Sequence, residues 1–532
     1  MTLTATSPLK QTEPAQEIQE ETPAAVQRRP NRRAVMVSAV LTQLMIMLDL
    51  TVIAIALPQM QEDLGMTVSQ SPWTVTGYSL AFGGLVLFGG RLCAVVGIRR
   101  SYQVGLIGFG IASLAAGMAT SFSVLLAARV AQGCFGALLA PTSQSLLNVT
   151  FTERTERERV FAIFGATGGL GAAVGLLVGG ALTDWFSWRW ALYINILLAA
   201  ASLLIGQRSL PPADQRDRGS RITDDLSGLV LGCGACFSAV YGLDRAQQTS
   251  WTSTSTVSWL ALGGIAAVLF VVRERFASRP VLPLSMMALP VRAASYTTQF
   301  VAGAAQMGAI IYLTYYMQNH FGYSPFKSGV VFLPMVLALI ATAIPAGRII
   351  VPRLGARGTL PLGLAVLTGS FLIFSRMTTE STYEHVALPG LIVFGMGLGL
   401  TMPVTFNSGT RGVDAKRTGL ASAILSAAQQ IGGSFGVALM TSYATQHAED
   451  YVTDHAAQVR AEAMEAMMRA QALPQSPAGK QIIETLKAQL VDRAQIEAYS
   501  GGFSMMAWIL AGAATVLVAC GIGLSLRRRR RR

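Results

Sequence analysis

The sequence predicts an all-α polytopic membrane protein of about fourteen transmembrane helices, laid out as six, then two, then six. Three observations carry this. Hydrophobic residues make up 52% of the 532 and charged residues only 13%, with a mean hydropathy of +0.47; soluble chains carry roughly 25% charged residues. Apolar runs near the ~20 residues that cross a ~30 Å hydrocarbon core recur along the whole chain. The 41 basic residues alternate between dense and sparse segments. With both termini cytoplasmic, roughly three-quarters of them fall on the cytoplasmic side, the bias that orients membrane proteins. The net charge of +13 therefore encodes orientation and not a nucleic-acid surface.

Residues 1–33 are rich in Thr, Pro, Gln and Glu and end in Arg28, Arg29, Arg32 and Arg33. No apolar stretch precedes Ala34, so a disordered cytosolic tail is expected and not a cleaved leader. Six spans follow within 34–209, starting near residues 34, 73, 102, 122, 160 and 190. A polar stretch from Pro211 to Asp225 opens a central linker, 210–293, whose two extra spans start near 226 and 257. The second six-span half, 294–526, has starts near 294, 328, 359, 386, 418 and 503. Only one outer segment is long, 444–502. There Met464, Met467, Met468 and Ala472 make one helical stripe and Ile482, Leu486 and Leu490 another, with Pro474 and Pro477 between them. Two amphipathic helices are expected, packed on each other as a hairpin or lying over the outer mouth as a lid. The basic tail 527–532 would hold the last helix end at anionic headgroups, at about 1 kcal/mol per charge.

Several function classes fall away. Cys93, Cys134, Cys233, Cys236 and Cys520 lie in or at the ends of apolar runs and read as small packing residues, so Cys233-Gly-Ala-Cys236 lacks the setting of a zinc or redox site. No metal and no cofactor is expected. No Gly-x-x-x-x-Gly-Lys-Ser/Thr loop is present to cradle the phosphates of an ATP-driven pump. With one prominent buried carboxylate and no buried histidine, the chain also lacks the convergent groups of an intramembrane enzyme.

That carboxylate is Asp49, inside Met45-Ile46-Met47-Leu48-Asp49-Leu50-Thr51-Val52. A charge in mid-span costs roughly 2.5 to 3.5 kcal/mol on insertion scales, so it marks function by default. At ~1.5 Å per residue along an outward-running first span, Asp49 lies about 9 Å below the outer face, and Arg129 on an inward-running fourth span lies at the same depth. Opposite charges at one depth are expected to be neighbours, with Gln132 as a hydrogen-bond partner. His320, His385, His447 and His455 all fall in outer segments, so a proton carrier within the bilayer has to be a carboxylate. Burial favours the neutral acid and a guanidinium favours the carboxylate, so relative motion of the two helices would load or release a proton. A permanent structural ion pair is the alternative reading. Gly171, Gly175, Gly179 and Gly180 form a small-residue stripe that lets another helix approach closely. Thr51, Gln429 and Gln430 are candidates for the substrate pathway, with interhelical hydrogen bonding as the plainer role for the glutamines. Tyr312, Tyr315 and Tyr316, and Trp185, Trp188 and Trp190, are expected in interfacial belts.

The run Leu48-Asp49-Leu50-Thr51-Val52 followed by Ala56-Leu57-Pro58 resembles the first-helix motif of the fourteen-span drug:proton antiporters of the major facilitator superfamily. Arg129-Val130-Ala131-Gln132-Gly133 is similar to the superfamily's proton-coupling arginine motif, and the 171–180 glycines to its antiporter motif. Trp188-Arg189-Trp190 with Tyr193-Ile194-Asn195, and Gly419-Leu420-Ala421-Ser422 with Gln429-Gln430-Ile431-Gly432-Gly433, match the sixth and thirteenth spans of the group. Gly90, Arg91, Gly97, Arg99 and Arg100 resemble its cytoplasmic gating loop, although Ala94 replaces the usual aspartate, and Leu176 and Leu197 replace expected prolines. The resemblance implies two six-helix major-facilitator halves with two extra central helices, in the plasma membrane. It implies export of a drug, antibiotic or other amphipathic compound by alternating access, driven by a proton gradient and acting as a monomer among membrane lipids. A proton-coupled importer, or an exporter of an endogenous metabolite or envelope lipid, is the alternative on the same fold.

Overall fold

The computed structural model describes residues 2, 31–66, 70, 73–207, 226–277, 289–413, 418–469 and 476–530. The expected tail 1–33 and the polar stretch 211–225 therefore lie almost wholly outside the described residues. Every regular element among the described residues is a helix. The first group is α1 (Arg32–Asp63), α2 (Trp73–Val96), α3 (Ile98–Gly117), α4 (Phe122–Thr150), α5 (Arg154–Trp185) and α6 (Trp188–Gly206). Then come α7 (Leu226–Gln248) and α8 (Thr254–Phe276). The last group is α9 (Pro290–Tyr315), α10 (Pro325–Val331), α11 (Leu333–Pro345), α12 (Val351–Phe374), α13 (Leu388–Thr410), α14 (Thr418–Arg469) and α15 (Pro477–Arg530). Eleven segments among the described residues are long and apolar enough to cross a membrane.

Glycine sets two of the sharp corners. Gly97 alone separates α2 from α3, and its φ of +97° is a conformation that residues with a Cβ rarely adopt. In the later group the apolar stretch Phe326–Phe374 is interrupted at Gly355, whose φ of 65° and ψ of 171° break the helical path.

Helix α1 packs on α4, α5 and α6, α2 on α4, and α3 on α4 and α6. Among the later helices α14 packs on α9 and α15, and α13 on α11 and α12. The two groups meet along α2, α4 and α14 on one side and along α5, α11 and α13 on the other. Helices α7 and α8 pair with each other, and α7 also packs on both α2 and α14.

The segment 444–502 differs from expectation. Instead of two separate amphipathic helices, α14 runs unbroken to Arg469 and α15 runs unbroken from Pro477, so this stretch prolongs two spans. Its Ala, Glu, Gln, Lys and Arg content favours propagation of an existing helix, which needs no new nucleus. The methionine stripe is not a buried face either: Met467 is buried, but Met464 and Met468 are exposed. On α15, Leu490 is buried with Ile482 and Leu486 half-buried. Ala472 and Pro474 lie outside the described residues.

Candidate functional site

Asp49 and Arg129 meet in the interior of the first helix group. Both side chains have zero exposure, and Arg129 Nη1 donates to Asp49 Oδ2 at 2.6 Å. Four helices besides α1, namely α2, α3, α4 and α6, hold the acid and its partner in place. From α4, Gln132 Nε2 donates to Asp49 Oδ1 at 3.3 Å and also to Ser113 Oγ of α3 at 2.7 Å. From α6, Asn195 Nδ2 donates to Asp49 Oδ1 at 2.6 Å. Arg129 is further fixed by Nη1 on Gln132 Oε1 at 2.8 Å, by Nε on the Thr74 carbonyl at 3.1 Å, and by the Tyr78 ring, 4.6 Å from its Cζ. Such a dry pair persists only when its lone pairs and protons are nearly all used. Arg129 Nη2 and Asn195 Oδ1 have no hydrogen-bond partner among the described residues, so the cluster keeps capacity for a second arrangement.

A cavity of about 520 Å³ lies on the other side of α1. Gln43, Ile46, Met47, Leu50 and Thr51 face it, a set spaced for one helical stripe, whereas Met45, Asp49, Val52 and Ile53 turn away into packed surroundings. From α2 and α4 it receives Thr76, Phe82 and Gln144, from α9 Met307, Ile310 and Tyr315, and from α14 Gln429, Gln430 and Ser434. The three expected pathway residues, Thr51, Gln429 and Gln430, thus share one cavity, and Asp49 does not line it.

The sequence reading missed Asp244. It stands near the end of a span, next to Arg245, where charges are ordinary, so nothing in the sequence singles it out. It lines the cavity beside Val240, four residues earlier on α7, and accepts a hydrogen bond from Thr76 Oγ1 at 2.8 Å. Asp244 is half-buried, so it adds an acid at the cavity without joining Asp49 among the fully buried side chains. Asn195 appeared in the sequence only as part of a motif, and its direct bond to Asp49 could be read only from α6 lying beside α1.

The model of the Major Facilitator Superfamily matches residues 39–437. The chain belongs to that superfamily. The puromycin resistance protein pur8 of Streptomyces alboniger is 39% identical over 429 residues, covering 80% of this chain and 84% of that one. The cephamycin export protein CmcT of Amycolatopsis lactamdurans is 33% identical, covering 76% and 83%. The tetracenomycin C resistance and export protein of Streptomyces glaucescens is 32% identical, covering 75% and 73%. Among solved structures, the human organic anion transporter MFSD10 aligns with a TM-score of 0.56 at 14% identity, over 91% of this chain and all of that one, a likeness of fold.

The glycine stripe seats α5 on the helix that carries Asp49. A Cβ on Gly171 would stand 2.5 Å from Met47 Cβ, one on Gly175 would fall on Thr51 Oγ1, and one on Gly179 would stand 3.1 Å from Val52 Cα. Gly180 is buried next to them. In the segment from Gly90 to Arg100, Gly90 is buried, Arg99 Nη2 donates to the Gln207 carbonyl at 3.2 Å, and Arg100 is exposed. Arg91 is half-buried. Ala94 supplies no carboxylate there, and the Arg99 bond ties α3 to the end of α6.

Three polar links join the two helix groups near the carboxyl ends of α4 and α13. Gln144 Nε2 donates to Ser426 Oγ at 3.2 Å, Thr410 Oγ1 to Asn148 Oδ1 at 3.1 Å, and Arg157 Nε to Asn407 Oδ1 at 2.9 Å.

Two aromatic expectations are corrected. Tyr312 and Tyr316 are buried, donating to Thr441 Oγ1 at 2.9 Å and to the Thr378 carbonyl at 3.1 Å, because they face α14 and the start of the loop after α12; only Tyr315 is exposed. Trp188 is likewise buried, with its indole N–H on Asp63 Oδ2 at 3.0 Å, whereas Trp185 and Trp190 are exposed.

Proposed function

We propose that the chain is a proton-coupled exporter of a drug, antibiotic or other amphipathic organic compound, working by alternating access in the cell membrane with both termini in the cytoplasm. The observation that carries this is the fully buried Asp49–Arg129 pair on one face of α1 with a mostly apolar cavity on the opposite face. The names of the relatives, resistance and export proteins for several antibiotics, support the direction of transport. Fourteen spans are reached by adding α3 and α5 to the eleven qualifying segments and dividing Phe326–Phe374 at Gly355.

Protonating Asp49 removes the charge that fixes Arg129. The guanidinium is then held by Gln132, Thr74 and the Tyr78 ring, and α1 is free to move relative to α4. Since α1 also forms a wall of the cavity, that movement alters the substrate's surroundings. Binding of substrate and proton thus bias one shared equilibrium, which is what exchange requires. The links Gln144–Ser426, Asn148–Thr410 and Arg157–Asn407 act as the inner gate in its closed state.

Energised inverted membrane vesicles test this reading. Vesicles containing the chain should accumulate an exported compound found by susceptibility profiling of a drug-sensitive strain, and adding that compound should dissipate an imposed pH gradient. Accumulation that survives an uncoupler would reject proton coupling.

A further inference from the structure

Arg129 touches α2 at two points one turn apart. Its Nε donates to the Thr74 carbonyl at 3.1 Å, and its Cζ lies 4.6 Å from the centre of the Tyr78 ring. One further turn along the same face stands Phe82, whose ring stacks on that of Tyr78 with centres 5.9 Å apart and planes 23° from parallel. Tyr78 is fully buried, whereas Phe82 forms part of the cavity wall. Thr74, Tyr78 and Phe82 thus make one stripe of α2 that starts at the guanidinium and ends at the cavity.

Two glycines of α4 confine the rings. A Cβ on Gly133 would stand 2.5 Å from the Tyr78 carbonyl oxygen, and one on Gly136 3.0 Å from Phe82 Cδ2 and 3.1 Å from the Tyr78 hydroxyl. On another face α2 is held as closely by α7, since a Cβ on Gly83 would stand 2.9 Å from Val240 Cγ2 and one on Gly84 3.2 Å from Phe237 Cβ. With the helix gripped by two neighbours, one ring cannot turn without displacing the other, because a close-packed interior passes strain on.

We propose that the Tyr78–Phe82 pair is the side-chain link between the cavity and the buried ion pair, with Phe82 the residue through which a bound compound acts on Arg129. This deepens the proposed export function and rests on it. A compound seated in the cavity presses on Phe82, Phe82 turns the Tyr78 ring, and the ring shifts the surface on which the guanidinium rests. Coupling between two sites is reciprocal, so neutralising Asp49, which leaves Arg129 to Gln132, Thr74 and Tyr78, is felt at Phe82. Neither ring carries a proton; both are positioning residues.

Proximity is not coupling, so the test reads the coupling itself. Para-fluorophenylalanine at position 82 of the full chain, in lipid nanodiscs, gives one fluorine resonance that reports the surroundings of that ring. Asp49→Asn, a neutral stand-in for the protonated acid, should shift the resonance. Tyr78→Phe keeps the ring and should preserve the shift, whereas Tyr78→Leu and Tyr78→Met should each cut it by at least half. A Tyr78 that only fills space would move the resonance in its own variants and leave the Asp49→Asn shift intact. No shift on Asp49→Asn, or a shift that survives both truncations, would overturn the link. Accumulation in energised vesicles and its loss on adding an uncoupler are read separately. Failure of the ring link therefore leaves the export reading standing, and failure of accumulation removes that reading whatever the fluorine signal shows.

Discussion

Replacing Asp49 by Asn tests the buried pair most directly, because the substitution keeps the volume and removes the charge. Arg129 would stay at zero exposure with a 2.6 Å charge-assisted partner exchanged for a neutral amide oxygen. Breaking a buried pair by removing one partner costs about 3 to 5 kcal/mol. The amide oxygen still accepts from Arg129, and the Gln132, Thr74 and Tyr78 contacts remain, so the lower end, about 3 kcal/mol, is expected. Arg129→Gln should lose a similar amount by orphaning the carboxylate, and the double substitution should lose much less than the sum. A coupling of about 2 kcal/mol or more is expected for groups in direct contact. Unfolding by steric trapping in bicelles measures the cycle. The same variants report function: Asp49→Asn should still bind a transported compound and fail to accumulate it in energised vesicles. Additivity within about 0.5 kcal/mol would refute the ion-pair energetics, and proton-driven accumulation at the wild-type rate would refute the switch.

Three further outcomes follow from the geometry. Gly175→Ala should impair transport and lower stability by about 1 to 3 kcal/mol, the range for overpacking; adding Thr51→Ala, which removes the oxygen the new methyl would strike, should restore much of the loss in the same unfolding assay. The Tyr78 hydroxyl is buried without a hydrogen-bond partner among the described residues, so Tyr78→Phe should be neutral or slightly stabilising. Tyr78→Leu should cost about 1 to 2 kcal/mol through loss of the ring beneath Arg129. At the end of α1, the Trp188 indole N–H and the Arg189 guanidinium hold the Asp63 carboxyl below the usual carboxylate range. A lowered folded value contributes stability above the unfolded value of about 3.9 and loses it as pH falls through the folded one. Trp188 emission and thermal stability should therefore be insensitive to Asp63 between about pH 5 and 8, and Asp63→Asn should remove the acid-limb change below about pH 4.

Helix positions and the matching depth of Asp49 and Arg129 were legible because rise per residue and hydrocarbon thickness are fixed lengths, so a sequence offset converts directly into a depth. Which face of a helix meets which neighbour was less legible. Nearly every face of these helices is apolar, so no amphipathic stripe distinguishes a lipid-facing tyrosine from Tyr312 or Tyr316. The same lack of contrast hid Asp244, whose significance depends on α2 glycines that sit far away in sequence and allow α7 to come close. The Asn195 contact escaped for a related reason: an amide in a span always seeks a hydrogen bond, but the partner is chosen by helix packing. The 444–502 segment shows the opposite failure. Its helical periodicity was real although Met464 and Met468 are exposed, yet periodicity says only that a helix is present, and whether that helix is new or a prolongation depends on the preceding residues continuing without a breaker.

On the proposed reading, the two faces of α1 let a proton and the substrate act on one helix without sharing a site. Asp49 is sealed among α3, α4 and α6 by Gln132, Asn195 and Arg129, while Gln43, Met47, Leu50 and Thr51 of the same helix look into the cavity. A side-chain path on α2 also joins the two regions, since the Tyr78 ring lies against Arg129 and stacks on Phe82 in the cavity wall, so on the proposed reading coupling runs through α2 as well as through a shift or rotation of α1 as a body. The α5 glycines make such movement feasible, since Gly171, Gly175 and Gly179 present a smooth surface along Met47, Thr51 and Val52 where branched side chains would interlock. A methyl at Gly175 would then hinder movement as well as packing. If the device works this way, Gly175→Ala should slow transport more than it weakens substrate binding, and adding Thr51→Ala should recover the rate together with the stability. Equal loss of binding and rate would instead make the glycine stripe a static seat for α1.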